Sequence, residues 1–381
     1  MDDLLTTTEL SALIGTVFEP SAEERRLAVI IDLPDGRLPD NPDWRRRREI
    51  AAGWVRDLVT APHLEASLFA YRNVRTNNAD LPGEVWPVGP DDVPADADGA
   101  SGRPTMAIRD LLASHPLVMA PTELSATAPL KMLARELGFR AATMPGFSPA
   151  MVPALRLDWA EVNRRVTALK ELLDAAISAN IAFRVDDRED HHLRLDLRHR
   201  TAHASGGLLR TPGTAGNLPS GEAYIVPYEG EVVGDPTASS GVMPVQHGDE
   251  VVVYRIESNR AVEVITSGRA ASAEAERLRR EPAYGNLAEL GLGVLGDMGI
   301  EPIGEVLLDE KLGLHVAFGR SEHFGGQIGP EDFSSPEAVV HQDHVYLPAI
   351  QPRISVVDAS LALEDGTTVR LVSDDRWVLQ L

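Results

Sequence analysis

Cysteine is absent from all 381 residues. That excludes disulfides, thiolate nucleophiles and cysteine-held zinc or iron–sulfur centres, so any metal must rest on histidine and carboxylate ligands. Aromatic residues are scarce at 5%, which leaves Leu, Val, Ile and Ala to build the core. No stretch approaches the ~20 apolar residues of a membrane helix. The opening Met1-Asp2-Asp3-Leu4 lacks the basic and apolar segments of a signal peptide. A soluble, cytoplasmic protein is expected. Positive charge is also short: 36 Lys+Arg stand against 58 Asp+Glu, a formal net charge of -22. A field of that sign repels phosphates and anionic lipids, so neither nucleic acid nor a membrane is expected as a partner. The run Arg45-Arg46-Arg47-Arg48 is the basic cluster of note. With Trp44, Ile50 and Trp54 at helical spacing around it, it reads as a solvated helix face.

What is present suffices for a large core, since 43% of the residues are hydrophobic. The length suggests two domains, and the polar stretch Thr201 to Gly207 sets the boundary near residue 200. Residues 1–200 read as an α/β domain with a parallel sheet. Apolar runs at 27–31, 67–71, 117–120 and 140–144 alternate with helical spacings at 42–60, 105–115 and 128–138. Residues 80–104, rich in Pro, Gly, Asp and Ala, read as a loop, and 158–178 as one long helix. Residues 201–381 read as an α+β, strand-rich domain. Just before it, Leu193, Leu195 and Leu197 alternate with charged residues as a half-exposed strand does. Glu250 to Thr266 reads as a hairpin turning at Ser258-Asn259, and 271–281 as a helix. Further strands are expected at 303–308, 313–318, 344–347, 354–363 and 367–373.

Four segments of the second half combine acids or histidine with Gly and Pro: Asn217 to Tyr224, Asn286 to Gly293, Asp309 to Gly319, and His341-Gln342-Asp343. On a strand, residues i and i+2 share a face, so His341 and Asp343 would project together toward one ion. Imidazole with carboxylate suits zinc, cobalt, manganese or iron(II). His315 alternates against Leu314, Val316 and Phe318 and shares its face with Gly313 and Ala317, which leaves room beside the ring. Taken singly, each of these residues is more often an ordinary strand residue than a ligand.

Together, and in this order, the segments resemble the thermophilic metalloaminopeptidases of aminopeptidase T type. The resemblance covers roughly residues 210–347 well and the first half loosely, through Asp32-Leu33-Pro34-Asp35 and the Trp44–Trp54 helix. It implies that Glu222, in Leu218-Pro219-Ser220-Gly221-Glu222, and Glu289, ahead of Gly291-Leu292-Gly293, hold metal. It implies the same for His315, His341 and Asp343, and it makes Glu310 the catalytic base. Two divalent ions (zinc, cobalt or manganese), short peptide substrates and a homodimer are implied with them. The chain departs from the pattern seven residues past His315, where the family has a Tyr and this sequence has Glu322. His323, one residue on, is a candidate for the missing donor. The stretch from Gly326 to His341 is also long. Ring-cleaving 2,5-dihydroxypyridine dioxygenases resemble the same family and use one iron(II) on a His-His-Asp set, which His315, His341 and Asp343 would supply. A metal-dependent hydrolase of a small aromatic substrate is a further alternative. The two Glu residues favour hydrolysis, because a single-iron oxygenase has less need of them.

Overall fold

The structure, a computed structural model, describes residues 4–60 and 63–381. Its contacts divide into two units, Met1–Asn163 with Gly207–Ser220, and Arg164–Gly206 with Gly221–Leu381. Where the sequence reading set one boundary near residue 200, the chain thus changes unit three times, the segment 207–220 returning to the first.

The first unit is built on a seven-stranded sheet. In spatial order its strands are Ala215–Asn217, Arg140–Thr143, Leu117–Ala120, Arg26–Leu33, Glu65–Arg72, Glu84–Val88 and Met106–Ala107. The first five are parallel and the last two antiparallel. Leu27 through Leu33 are all buried, as a strand covered on both faces requires. The helix Pro42–Leu58 starts cleanly: Asn41 caps it through Trp44 N at 2.8 Å, and Pro42 occupies the first turn. Its arginines correct the sequence reading. Arg47 and Arg48 are buried, Arg47 against Glu123 and the Phe147 carbonyl, Arg48 in a two-pronged pair with Asp40 at 3.0 Å. Internal acids, not solvent, take up their charge. The stretch 80–104 holds a short strand, Glu84–Val88, which pairs antiparallel with Glu65–Arg72 and buries Val85 and Val88.

The second unit has two antiparallel sheets of eight and five strands. The helix expected over 158–178 stops at Asp174, and Ala176–Val185 forms a ten-residue strand whose side chains alternate in burial. Pairing with Ile354–Leu363 and Glu189–Asp196 overrides its helical spacing. The hairpin at 250–266 is formed, with Ser258 and Asn259 both at positive φ (48° and 65°), as a tight two-residue turn demands. Residues 303–308 are not a strand. Pro302 offers no N–H, and the Asp309 carboxylate accepts from Ile303 N and Gly304 N, both at 2.9 Å, which folds the segment into the short helix Val306–Asp309. The five-stranded sheet runs in the order His341–Val345, Leu314–Gly319, Leu287–Gly293, Glu222–Ile225, His203–Ser205. One of its faces carries Phe318 and His344, with Phe318 5.1 Å from Tyr254 of the larger sheet. The opposite face carries the acids and imidazoles.

Candidate metal centre

Strand register brings the sequence-predicted residues together. Glu222 lies opposite Gly293, and Gly291 lies between Tyr224 and His315. Ala317 lies between Glu289 and Asp343, and Gly319 opposite His341. Because side chains alternate, all of these share one face. His315 Nε2 sits 3.3 Å from Glu289 Oε1 and 3.5 Å from Glu222 Oε2. His341 Nε2 sits 3.2 Å from Glu289 Oε2 and 3.5 Å from Asp343 Oδ1. Among the described residues, two trios have ligand atoms within 4.8 Å of one another: Glu222, Glu289, His315, and Glu289, His341, Asp343. Glu289 belongs to both.

The donor set fits a cation. His341 Nδ1 faces the Arg320 carbonyl at 2.8 Å, and His315 Nδ1 faces the Gly313 carbonyl at 3.3 Å. Each Nδ1–H then donates to a carbonyl, and each Nε2 lone pair faces carboxylate oxygens. Lone pairs opposed across such distances require a positive charge between them, a proton or a metal ion. Glu222 Oε2, buried with no hydrogen-bond partner, is a further free ligand atom. The ionisation of the ring follows the same logic. Burial works against charge on His315, yet its bond to Glu289 and the charge of Glu222 hold it up at about 9. Burial works to raise Glu289, and the two histidines outweigh it, bringing it to about 2. A metal ion would take the place of these protons and release them.

Two glycines make the close approach possible. A Cβ added at Gly291 would lie 1.9 Å from His315 Nε2, and one at Gly293 would lie 2.1 Å from the Lys311 backbone carbon. The imidazole therefore lies across bare backbone. Gly291→Ala is expected to push His315 off the cluster and lower metal affinity at least about tenfold. Metal titration with circular dichroism as the fold control checks this, and wild-type affinity in a folded variant would contradict it.

Glu310 stands beside this face in neither trio. Burial raises its carboxyl to about 8 despite the ammonium of Lys311 next to it. Lys311 is a residue the sequence reading passed over. It is 1% exposed, and its Nζ bonds Glu222 Oε1 at 2.5 Å as well as Glu310. Those two acids hold its pKa above the ordinary lysine range against the opposing effect of burial. With Oε1 so engaged, Glu222 turns Oε2 toward His315.

An aromatic flank adjoins His341. The rings of His323 and Phe324 each lie 5.5 Å from it, Phe324 meets Tyr224 at 4.7 Å, and Tyr224 stacks on His203 at 5.1 Å. Glu322, at the family's Tyr position, is neutralised by Arg320 through contacts of 2.5 and 2.6 Å. His323 is partly exposed, and desolvation, then the neighbouring His341, lower its pKa to about 4. Tyr224 was legible but missed, since the i, i+2 rule that pairs His341 with Asp343 also pairs Glu222 with Tyr224. Burial raises its phenol, and the charges of Glu289 and Glu222 raise it further. The loop bearing His323 and Phe324 is moored by Glu229, which accepts from Ser321 Oγ at 2.6 Å, Asn286 Nδ2 at 2.8 Å and Gln327 N at 2.5 Å.

No family model and no curated protein matches the chain. Among the solved structures that match, two are covered over nearly their full length. One is 2,5-dihydroxypyridine dioxygenase from Pseudomonas putida KT2440, with a TM-score of 0.61, 15% identity and 99% of each chain covered. The other is wild-type AmpT from Thermus thermophilus, with a TM-score of 0.53, 15% identity and 98% of each chain covered. At such identity the likeness is one of fold.

Proposed function

We propose that this chain is a metal-dependent hydrolase that cleaves the N-terminal amide bond of short peptides. The observation that carries the reading is Glu289, shared between two trios of ligand atoms. A carboxylate between two cation positions is the pattern of paired-metal hydrolysis. Glu222, Glu289, His315, His341 and Asp343 would hold two divalent ions, zinc, cobalt or manganese. When bound, they would supply Lewis acidity, polarising the scissile carbonyl and acidifying water. Glu310 takes the proton of the attacking water and delivers it to the leaving amine. Lys311 holds one Glu310 oxygen and leaves the other free for that transfer. His323, uncharged beside His341, and Tyr224, on the same sheet face, are the donors available to a developing oxyanion. The same reading takes the protein as a homodimer.

A second reading is ring cleavage by one iron(II) on His315, His341 and Asp343. The dioxygenase fold match and the aromatic flank favour it. Against it, those three do not form a trio by the measure above, among the described residues; each histidine groups with Glu289 instead. The deciding experiment measures metal content, amino-acid release from short peptides, and oxygen uptake with 2,5-dihydroxypyridine on one preparation. Two ions per chain with peptide hydrolysis is the expected result. One iron with oxygen uptake and no hydrolysis would replace the first reading by the second.

A further inference from the structure

The strand His341–Val345 projects His341, Asp343 and Val345 from one face. Past Asp343, on the side of Val345, a cleft of about 470 Å³ opens. Its volume lies within the ~300–1,000 Å³ of small-ligand sites. Pro302, Val306, Val345 and Ile350 give it aliphatic walls. Val306 is 58% exposed, an apolar side chain left facing solvent at the start of the short helix that leads into Glu310. No lysine, arginine or histidine lines the cleft. Of its acids, Asp309 is engaged by two backbone N–H groups, and Asp343 belongs to the metal cluster. The cleft is therefore joined to the cluster at one residue and to the base at the next: Asp343 lines it, and Glu310 directly follows its lining residue Asp309.

We infer that this cleft receives the side chain of the substrate's first residue, and that it selects an aliphatic group over an anionic one. The inference rests on the hydrolase reading for the word residue; the cleft's preference for an apolar group beside the metal stands apart from it. A carboxylate meets Glu301, Asp309 and Asp343 without a compensating positive charge, whereas the aliphatic walls of Pro302, Val306, Val345 and Ile350 accept an apolar group. An aliphatic group packs against Val345 and covers Val306, which otherwise faces solvent.

Amino-acid hydroxamates test this, because they chelate the metal whether or not the protein turns over. Calorimetry on zinc-loaded protein should show leucine hydroxamate binding at least about tenfold more tightly than glycine hydroxamate. Aspartate hydroxamate should bind more weakly than either. Val306→Trp and Ala349→Trp, both at exposed lining positions, should fill the cleft and remove the leucine advantage, with metal content read on the same samples. Equal affinities for the leucine and glycine compounds in the wild type would overturn the proposal. So would a leucine advantage that survives both tryptophans. A leucine preference without any peptide hydrolysis would retain the cleft and remove the peptidase.

Discussion

Glu289→Ala is expected to strip the protein of metal. The side chain gives Oε1 to the trio with Glu222 and His315 and Oε2 to the trio with His341 and Asp343. Its loss removes one ligand from each position at once. Outer partners of metal ligands already cost about ten- to a hundredfold in affinity, so a shared ligand should cost at least about a hundredfold. Glu222→Ala and Asp343→Ala each touch one trio and should leave roughly half of the bound metal, a contrast that separates a shared ligand from a merely buried acid. Elemental analysis after dialysis reads all three. Full metal content in Glu289→Ala would remove the bridging role and with it the case for paired ions.

Glu310→Gln is expected to silence turnover while the metal stays. The amide keeps the shape of the carboxyl but cannot take up the water's proton, and general base catalysis is worth about 10²–10⁴ in rate. Glu310 belongs to neither trio, so metal content should match the wild type. KM should change little, since the carboxyl acts in the transition state and not in binding. Steady-state kinetics on a short peptide, normalised to metal, makes the measurement. Undiminished turnover would pass the proton transfer to another group, and loss of metal along with turnover would make Glu310 a ligand instead of a base.

Much of the centre was readable because strands report side-chain direction locally. The pairing of His341 with Asp343 and the outlook of His315 both follow from a period of two. The buried strand Arg26–Leu33 and the hairpin at Ser258-Asn259 were equally plain, one from an unbroken apolar run, the other from its turn residues. What misled was context. Arg47 and Arg48 resemble any solvated basic run until Glu123 and Asp40 are placed against them. Lys311 resembles any surface lysine until Glu222, 89 residues away, closes on its ammonium. The aliphatic run at 303–308 looked like a strand because the bonds of Asp309 back to Ile303 and Gly304 have no periodic signature.

The amino-acid sequence by itself settled the chemistry available: no sulfur ligands, a strong negative charge, and a His-x-Asp pair and a histidine placed by strand alternation, with Glu222 and Glu289 added only by the family resemblance. Apart from those two, these are properties of residue type and of alternation, which neighbours along the chain suffice to express. Only the tertiary structure decided that Glu289 is shared, that Glu222 has one oxygen free, and that His315 lies over Gly291. Each of these depends on the register between strands far apart in the chain, and a shift of one residue would turn the same side chains to the opposite face.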